Sequence, residues 1–460
     1  MTVGQSAVSL AIFMVMGALQ RKSCKRFSGS KASGGDPMYN SNRVRMLAVS
    51  YALPPALFPQ AIQIGRLLTH MPAEIGVVCG DSDESATTGG FDPGFGRGFV
   101  FRESVRYRPS LRGFPATLAR RFVPFFARVP DEYRPWVRRA EAALTSRLRE
   151  TAFQPNVLVT FGEPMSDHLL GLLLKARLGI PWIAHFSDPW ADNPFRRYEY
   201  LATFVNRRLE QQVVQNADRI VVTSQETLEL MMSKYPPDWR RKACVVSHSF
   251  DPTLFRTPTR SNGSLVVRYL GNFYGHRSPV PLFRALKLLH DADPRCLNGV
   301  AIELVGQMPA RMRLHRSLRA LPNGLVLLRD TVPYAESLTL MSNSDLLLVI
   351  DGPDDLSVFL PSKLIDYLGA GVPILGIVPP GASAELLTRL RARVADPREP
   401  QAVAAALRSA IAEAGQWRKS PRSEPWGDPA IVDGYNITNV SAAFSKLVND
   451  LLADTCVPTP

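Results

Sequence analysis

Apolar and polar positions along the chain fall into two successive series of short apolar runs alternating with segments of helical period. In the first half, runs of strand length cover Arg45–Leu53, Glu74–Gly80, Asn156–Phe161, Pro181–Phe186, Asp218–Ser224 and Ala243–His248. Between most of them the apolar residues recur at helical spacing, which predicts helices. The exception is Asp81–Gly98, a Gly- and Asp-rich loop, followed by a basic segment ending in a predicted helix over Trp136–Glu150. After His248 the stretch SFDPTLFRTPTRSNGS has no period and reads as a linker. A second series follows, with strands predicted at Leu265–Gly271, Val300–Gly306, Gly324–Asp330, Asp345–Asp351 and Val372–Val378, each paired with a helix. Such alternation predicts parallel sheets covered on both faces, hence two doubly wound α/β domains. The expected division is 43–255 for the first domain, 256–430 for the second and 431–460 for a last amphipathic helix, Tyr435–Leu452, with a tail. Residues 1–42 are expected to be a disordered or mis-started extension, with Met38 as an alternative start.

Composition narrows the class. The chain has 460 residues, 45% hydrophobic and 21% charged, which suits two globular domains and argues against a disordered or fibrous protein. Lys plus Arg number 54 against 41 Asp plus Glu, a formal charge of +13, so an anionic partner is expected. Twelve arginines lie between Arg102 and Arg149, interleaved with Phe114, Phe122, Phe125, Phe126, Tyr133 and Trp136. That mixture suits an anionic membrane surface or acceptor, or simply a solvated arginine-rich face. A nucleic-acid partner is not expected, because no nucleic-acid motif accompanies the charge. The five cysteines show no paired-ligand spacing, which points to a reducing, cytoplasmic setting without a structural zinc site. The apolar run Ala7–Leu19, about thirteen residues, falls short of the roughly 18 needed to span a bilayer.

Candidate chemistry concentrates where strands end. FLPSKLIDYLGAGVPILGIV, Phe359–Val378, reads as a short helix capped by Ser362, ended by Gly369 and Gly371, then a buried strand. The N-terminus of such a helix suits a diphosphate, and Asp366 lies one turn further along the face of Ser362, where it could meet ribose hydroxyls. An ordinary capped helix is the alternative. YLGNFYGHRSP, Tyr269–Pro279, offers a glycine turn with Asn272 and Arg277 before the next helix, and Lys363 adds a second cation. In the first domain Asp188 follows a buried strand inside SDPWADNPF and would point into a cleft, while Glu163 and His168 in GEPMSDH are weaker candidates. DGPDD, Asp351–Asp355, reads as a solvated turn and no metal site is expected. Dinucleotide, P-loop and nucleophile-elbow fingerprints are absent.

With "YALPP", "GIPWIAHFSDPWADNPF", "YLGNFYGHRSP" and "FLPSKLIDYLGAG" in place, the chain resembles the retaining glycosyltransferases of family 4, and among them a bacterial surface-polysaccharide branch. The resemblance covers roughly residues 43–452. It implies a GT-B fold, two Rossmann-like domains facing across a cleft, with the last helix crossing back to the first domain. It also implies retaining transfer of a sugar, without a metal or cofactor, from a nucleotide-sugar donor to a glycan or lipid-linked acceptor held mainly by the first domain. The family's pair of glutamates falls on Val358 and Asp366, and its phosphate-binding Arg and Lys on Arg277 and Asn272. Gly162 stands where many relatives carry histidine, Pro361 where a glycine-containing turn touches phosphate. The implied roles are diphosphate binding by Ser362, Lys363, Asn272 and Arg277, ribose binding by Asp366, and orientation of sugar or acceptor by Asp188. The enzyme would be cytoplasmic, peripheral on the inner membrane. Two alternatives accompany this reading: a nucleotide-sugar epimerase or hydrolase on the same fold, and a catalytically weak binding subunit.

Overall fold

The computed structural model describes residues 43–56, 58–81, 95–107, 129–196, 200–255, 263–419 and 425–456. The N-terminal extension, most of the Gly- and Asp-rich loop and residues 108–128 of the arginine-rich stretch lie outside them, so the expectations placed there are not addressed by the structure.

Among the described residues thirteen strands form two all-parallel sheets. The first contains β1 (Arg45–Val49), β2 (Glu74–Gly80), β3 (Phe101–Val105), β4 (Val157–Gly162), β5 (Trp182–Phe186), β6 (Arg219–Val222) and β7 (Ala243–Val245), in the order β3-β2-β1-β4-β5-β6-β7. The second contains β8 (Leu265–Leu270), β9 (Val300–Val305), β10 (Val326–Arg329), β11 (Leu346–Ile350), β12 (Ile374–Ile377) and β13 (Arg393–Ala395), in the order β10-β9-β8-β11-β12-β13. The fold is therefore two Rossmann-like α/β domains. In each sheet the strand order reverses beside the first strand, at β1/β4 and at β8/β11, and the crevice at such a point is where ligands of open parallel sheets bind.

Two strands escape the sequence reading. Phe101–Val105 alternates weakly inside the basic segment, and Arg393–Ala395 is a three-residue edge strand, too short to show a period. Both are held by one neighbour, β2 and β12 respectively, whose register supplies what local pattern does not.

The helices that matter for the site are α1 (Pro59–His70), α2 (Arg134–Thr151), α3 (Ser166–Leu178), α4 (Tyr200–Asn216), α5 (Gln225–Met232), α6 (Val280–Ala292), α7 (Tyr334–Ser342), α8 (Ser362–Ala370), α9 (Ala382–Arg389), α10 (Pro400–Trp417) and α11 (Ile437–Cys456). The chain passes between the domains twice, side by side: Phe250 N donates to Tyr435 O, and Ile437 N to Phe250 O, each at 2.9 Å. Past that crossing α11 lies on the first domain. Its stripe Val440, Phe444, Val448 and Leu451 is buried in one cluster with Met46, Ala48, Leu67 and Leu68. Each such side chain contributes about 1.5–3 kcal/mol, so α11 ties the far end of the chain to the first sheet.

Candidate active site

A cavity of about 480 Å3 opens between the C-terminal edges of the two sheets. Asp188, Asn272, Arg277, Ser362 and Lys363 all line it, as does the weaker candidate Glu163; Asp366 and His168 do not.

The wall from the second domain is cationic. β8 runs into Gly271, at φ +150°, where a Cβ would lie 1.5 Å from Nζ of Lys363. Glycine is needed there because the ammonium rests against the turn. Nζ also sits 5.1 Å over the ring of Tyr269, and among the described residues it has no hydrogen bond or ion pair. Burial, with repulsion from Arg277, lowers this ammonium to about 7, against the pull of Asp351 and Asp366. Arg277 is only 7% exposed and donates to Asp351 Oδ1 from Nη2 at 3.1 Å and from Nε at 3.4 Å. Burial opposes its charge, but Tyr269 and Asp351 more than offset that and keep the guanidinium protonated. Asn272 lines the cavity while its Oδ1 accepts from Gln307 N at 2.9 Å, which clips the β8 turn to the β9 turn.

Helix α8 points its N-terminus at the same wall. Ser362 is not the cap: Pro361, in extended conformation with no side-chain hydrogen bond, holds that position, and Ser362 is the first helical residue. Proline lacks the N–H and its restricted φ suits the entry, so the helix starts one residue earlier than a serine cap at 362 would allow. The first-turn N–H groups of Ser362 and Lys363 have no intrahelical acceptor and face an anion-favouring helix end. Gly371, at φ +62°, ends the helix; Gly369 lies inside it, packed on Phe250 and Phe255.

The opposite wall is acidic. Glu163 follows β4, Asp188 follows β5, and Asp131 precedes α2. Glu163 pairs with Arg196, and burial raises its acid to about 7, with Asp188 and Asp131 adding and Arg196 opposing. Burial also raises Asp188, against Arg196 and Arg277. Asp131 is spent on building the wall, accepting from Ser166 Oγ at 2.6 Å and from the N–H groups of Ser166 and Tyr133 at 3.0 Å. His168 belongs to the core instead: Nδ1 is 2.7 Å from Thr160 Oγ1, and burial lowers it to about 3. A Cβ at position 162 would fall 2.6 Å from its Nε2, which is why glycine stands there.

The carboxylates of DGPDD separate. Asp351 takes Arg277, Asp355 takes Arg398 at 2.7 Å, and Asp354 is 3.8 Å from His276. Asp366 is 5% exposed and accepts from Arg66 and Tyr334. Val358 is 3% exposed, and its carbonyl, not its side chain, is the group in use: Ser224 Oγ at 2.8 Å and Thr227 Oγ1 at 3.0 Å are placed to donate to it. Arg196, Asp131 and Tyr274 were not singled out from the sequence. Arg196 directly follows SDPWADNPF and Tyr274 lies inside YLGNFYGHRSP, so position was the available signal.

Residues 86–246 match the family model described as a glycosyl transferase 4-like domain. No curated protein sequence matches the chain. Among solved structures, sucrose-phosphate synthase from Thermosynechococcus elongatus is similar at TM-score 0.63 and 15% identity, over 90% of this chain and all of that one (100%). Anabaena HepE in complex with UDP follows at 0.54 and 15%, over 90% and 99%. UDP-GlcNAc 2-epimerase from Neisseria meningitidis, bound to UDP-GlcNAc, is similar at 0.52 and 13%, over 88% and 100%. Among the described residues no helix is long and apolar enough to cross a membrane. The chain thus has the two-domain fold of GT-B glycosyltransferases, and its first domain carries the glycosyl transferase 4-like segment.

Proposed function

We propose that the protein is a retaining glycosyltransferase that moves a sugar from a nucleotide-sugar donor to a glycan or lipid-linked acceptor, in assembly of a bacterial surface polysaccharide or glycolipid. The observation that carries this reading is the pair Arg277 and Lys363 at the N-terminus of α8, two cations on one wall of the cavity, the first buried and the second half-buried and without an anionic partner among the described residues. The donor diphosphate rests on Ser362, Lys363, Arg277 and Asn272. As the bond from the anomeric carbon to the phosphate oxygen breaks, Lys363 and Arg277 stabilise the charge left on the diphosphate. The acceptor oxygen bonds to the same face of that carbon, and its proton passes to the departing phosphate oxygen. Asp188, with Glu163 beside it on the acidic wall, orients the hydroxyls of sugar or acceptor. The two cations supply the charge that a metal would otherwise provide. Arg277→Ala and Lys363→Ala should each lower turnover by about an order of magnitude or more; near-normal turnover in both would remove the phosphate assignment.

The fold shared with an epimerase supports a second reading, conversion of the nucleotide-sugar alone. Incubation with donor and no acceptor separates the two, since an epimerase changes its substrate and a transferase leaves it largely intact. For the arginine-rich stretch we propose contact with an anionic membrane face, which predicts salt-sensitive sedimentation with anionic liposomes.

A further inference from the structure

The phosphate-binding pole of the second domain is held in place by the first. Segment Ser357–Pro361 leads into α8 and is fixed at one end within its own domain. Ser357 Oγ donates to Asp351 Oδ2 at 2.8 Å, the oxygen partner of the one that holds Arg277, and Ser357 N and O bond to Pro380 O and Ala382 N. The backbones approach so closely that a Cβ on Gly381 would fall 2.0 Å from Ser357 O. One residue on, the segment leaves that domain's grip. Val358 O lies 2.8 Å from Ser224 Oγ and 3.0 Å from Thr227 Oγ1, both at the start of α5 in the first domain. Phe359 then stacks on Phe195 of the first domain, ring centroids 4.6 Å apart and planes 30° apart. Leu360, Pro361 and the N–H groups of α8 follow directly, so the position of these contacts is the position of the pole.

We propose that Ser224 and Thr227 are positioning residues: they clasp the Val358 carbonyl, beside the stacking of Phe195 on Phe359, and so set the donor pole from the acceptor side of the cleft without themselves lining the cavity. This rests on the nucleotide-sugar reading of the cavity. The physical ground is that Val358 O, on a residue 3% exposed, is satisfied by hydroxyls of the other domain, and a buried carbonyl deprived of both donors costs about 1–3 kcal/mol. Separation of the domains therefore breaks the clasp and releases the segment between Ser357 and Ser362 together. The chain Val358–Ser357–Asp351–Arg277 carries the same displacement to the guanidinium. Donor affinity and cleft closure are then one equilibrium, with reciprocal coupling.

Ser224 also caps α5, accepting from Thr227 N at 3.1 Å, so an alanine there would confuse the two roles. Ser224→Asp keeps a good cap acceptor but replaces the donor to Val358 O by an ionised carboxylate, which can only accept and so repels the carbonyl oxygen. Thr227→Val removes a hydroxyl at nearly constant shape. Both are compared with the parent by calorimetric titration with UDP, GDP and ADP, by small-angle scattering and by thermal melting. The clasp predicts nucleoside-diphosphate affinity weakened about tenfold in Ser224→Asp and in the same direction in Thr227→Val, with a larger radius of gyration and a melting temperature lowered by no more than a few degrees. Unchanged affinity in both folded variants would overturn it. If the parent binds none of the three nucleotides, the functional reading fails, and scattering alone decides the clasp: an unchanged profile in Ser224→Asp overturns it, an expanded one upholds it.

Discussion

Arg66 in α1 and Asp366 in α8 form an ion pair across the two domains, 3.2 Å long with side chains 2% and 7% exposed. Tyr334 closes the group: its hydroxyl is 3.3 Å from both carboxylate oxygens and accepts from Arg66 Nη2 at 2.5 Å, while Nη1 donates to Ser249 O. Buried pairs of this kind contribute little against an apolar substitute, but one partner alone is expensive. Arg66→Met should therefore destabilise the protein by about 3–5 kcal/mol in chemical denaturation, and Arg66→Met with Asp366→Leu should recover most of that loss.

The same pair constrains the ribose role that the resemblance implies for Asp366. A ribose hydroxyl can reach that carboxylate only if Arg66 or Tyr334 yields an oxygen. Because Asp366 is held by Arg66 and Tyr334 and does not line the cavity, the folded double variant should keep the parent's preference for UDP over inorganic pyrophosphate, which assigns ribose to other groups. Loss of that preference would return ribose to Asp366.

Lys363 gives a stability prediction of opposite sign. Its ammonium is lowered from 10.5 to about 7, so the folded state favours the neutral amine. The resulting destabilisation is complete below about pH 7 and is relieved as pH rises from there toward 10.5. Lys363→Met should raise the unfolding free energy at pH 7 by about 1 kcal/mol, while abolishing nucleotide binding, as is usual where a site is held ready for a ligand.

Binding of the diphosphate should restore the proton to Lys363. Nucleotide affinity is then flat in the Lys363 contribution below about pH 7. Above it, affinity weakens by up to about tenfold per pH unit, the slope of one proton taken up. Titrations from pH 6 to 9 against Lys363→Arg, which stays charged, check this, the variant losing that slope.

Gly271→Ala offers a test on the turn itself. A methyl 1.5 Å from Nζ must push the ammonium aside, and the backbone at φ +150° disfavours any side chain. Nucleotide affinity should fall about tenfold or more, with a loss of about 1 kcal/mol or more in stability.

Much of this was legible in the sequence, and the parts that were not share a cause. Continuous apolar runs such as LLLVI in β11 and the alternation of strands with helices specify the two sheets, because burial on both faces leaves a strong local signal. β13 and β3 take their place from a neighbouring strand, which no local pattern records. The convergence of Arg277, Lys363 and Asp188 follows from their positions after strands. What pairs with what does not: Asp366 reads as a carboxylate open to ribose until Arg66, three hundred residues away, is folded against it. Val358 reads as a lost ligand, whereas its carbonyl is the contact, and backbone groups leave no trace in a side-chain pattern. Ser362 reads as a cap because serine favours that position, but Pro361 occupies it.

The most direct measurement is a thermal-shift and calorimetric panel of nucleoside diphosphates against the parent protein and Lys363→Met. Binding of at least one nucleotide, raising the melting temperature of the parent by several degrees and leaving that of Lys363→Met unmoved, is the expected result. Absence of any shift in the parent across the panel, or equal shifts in both proteins, would contradict the assignment of the cavity to a nucleotide-sugar.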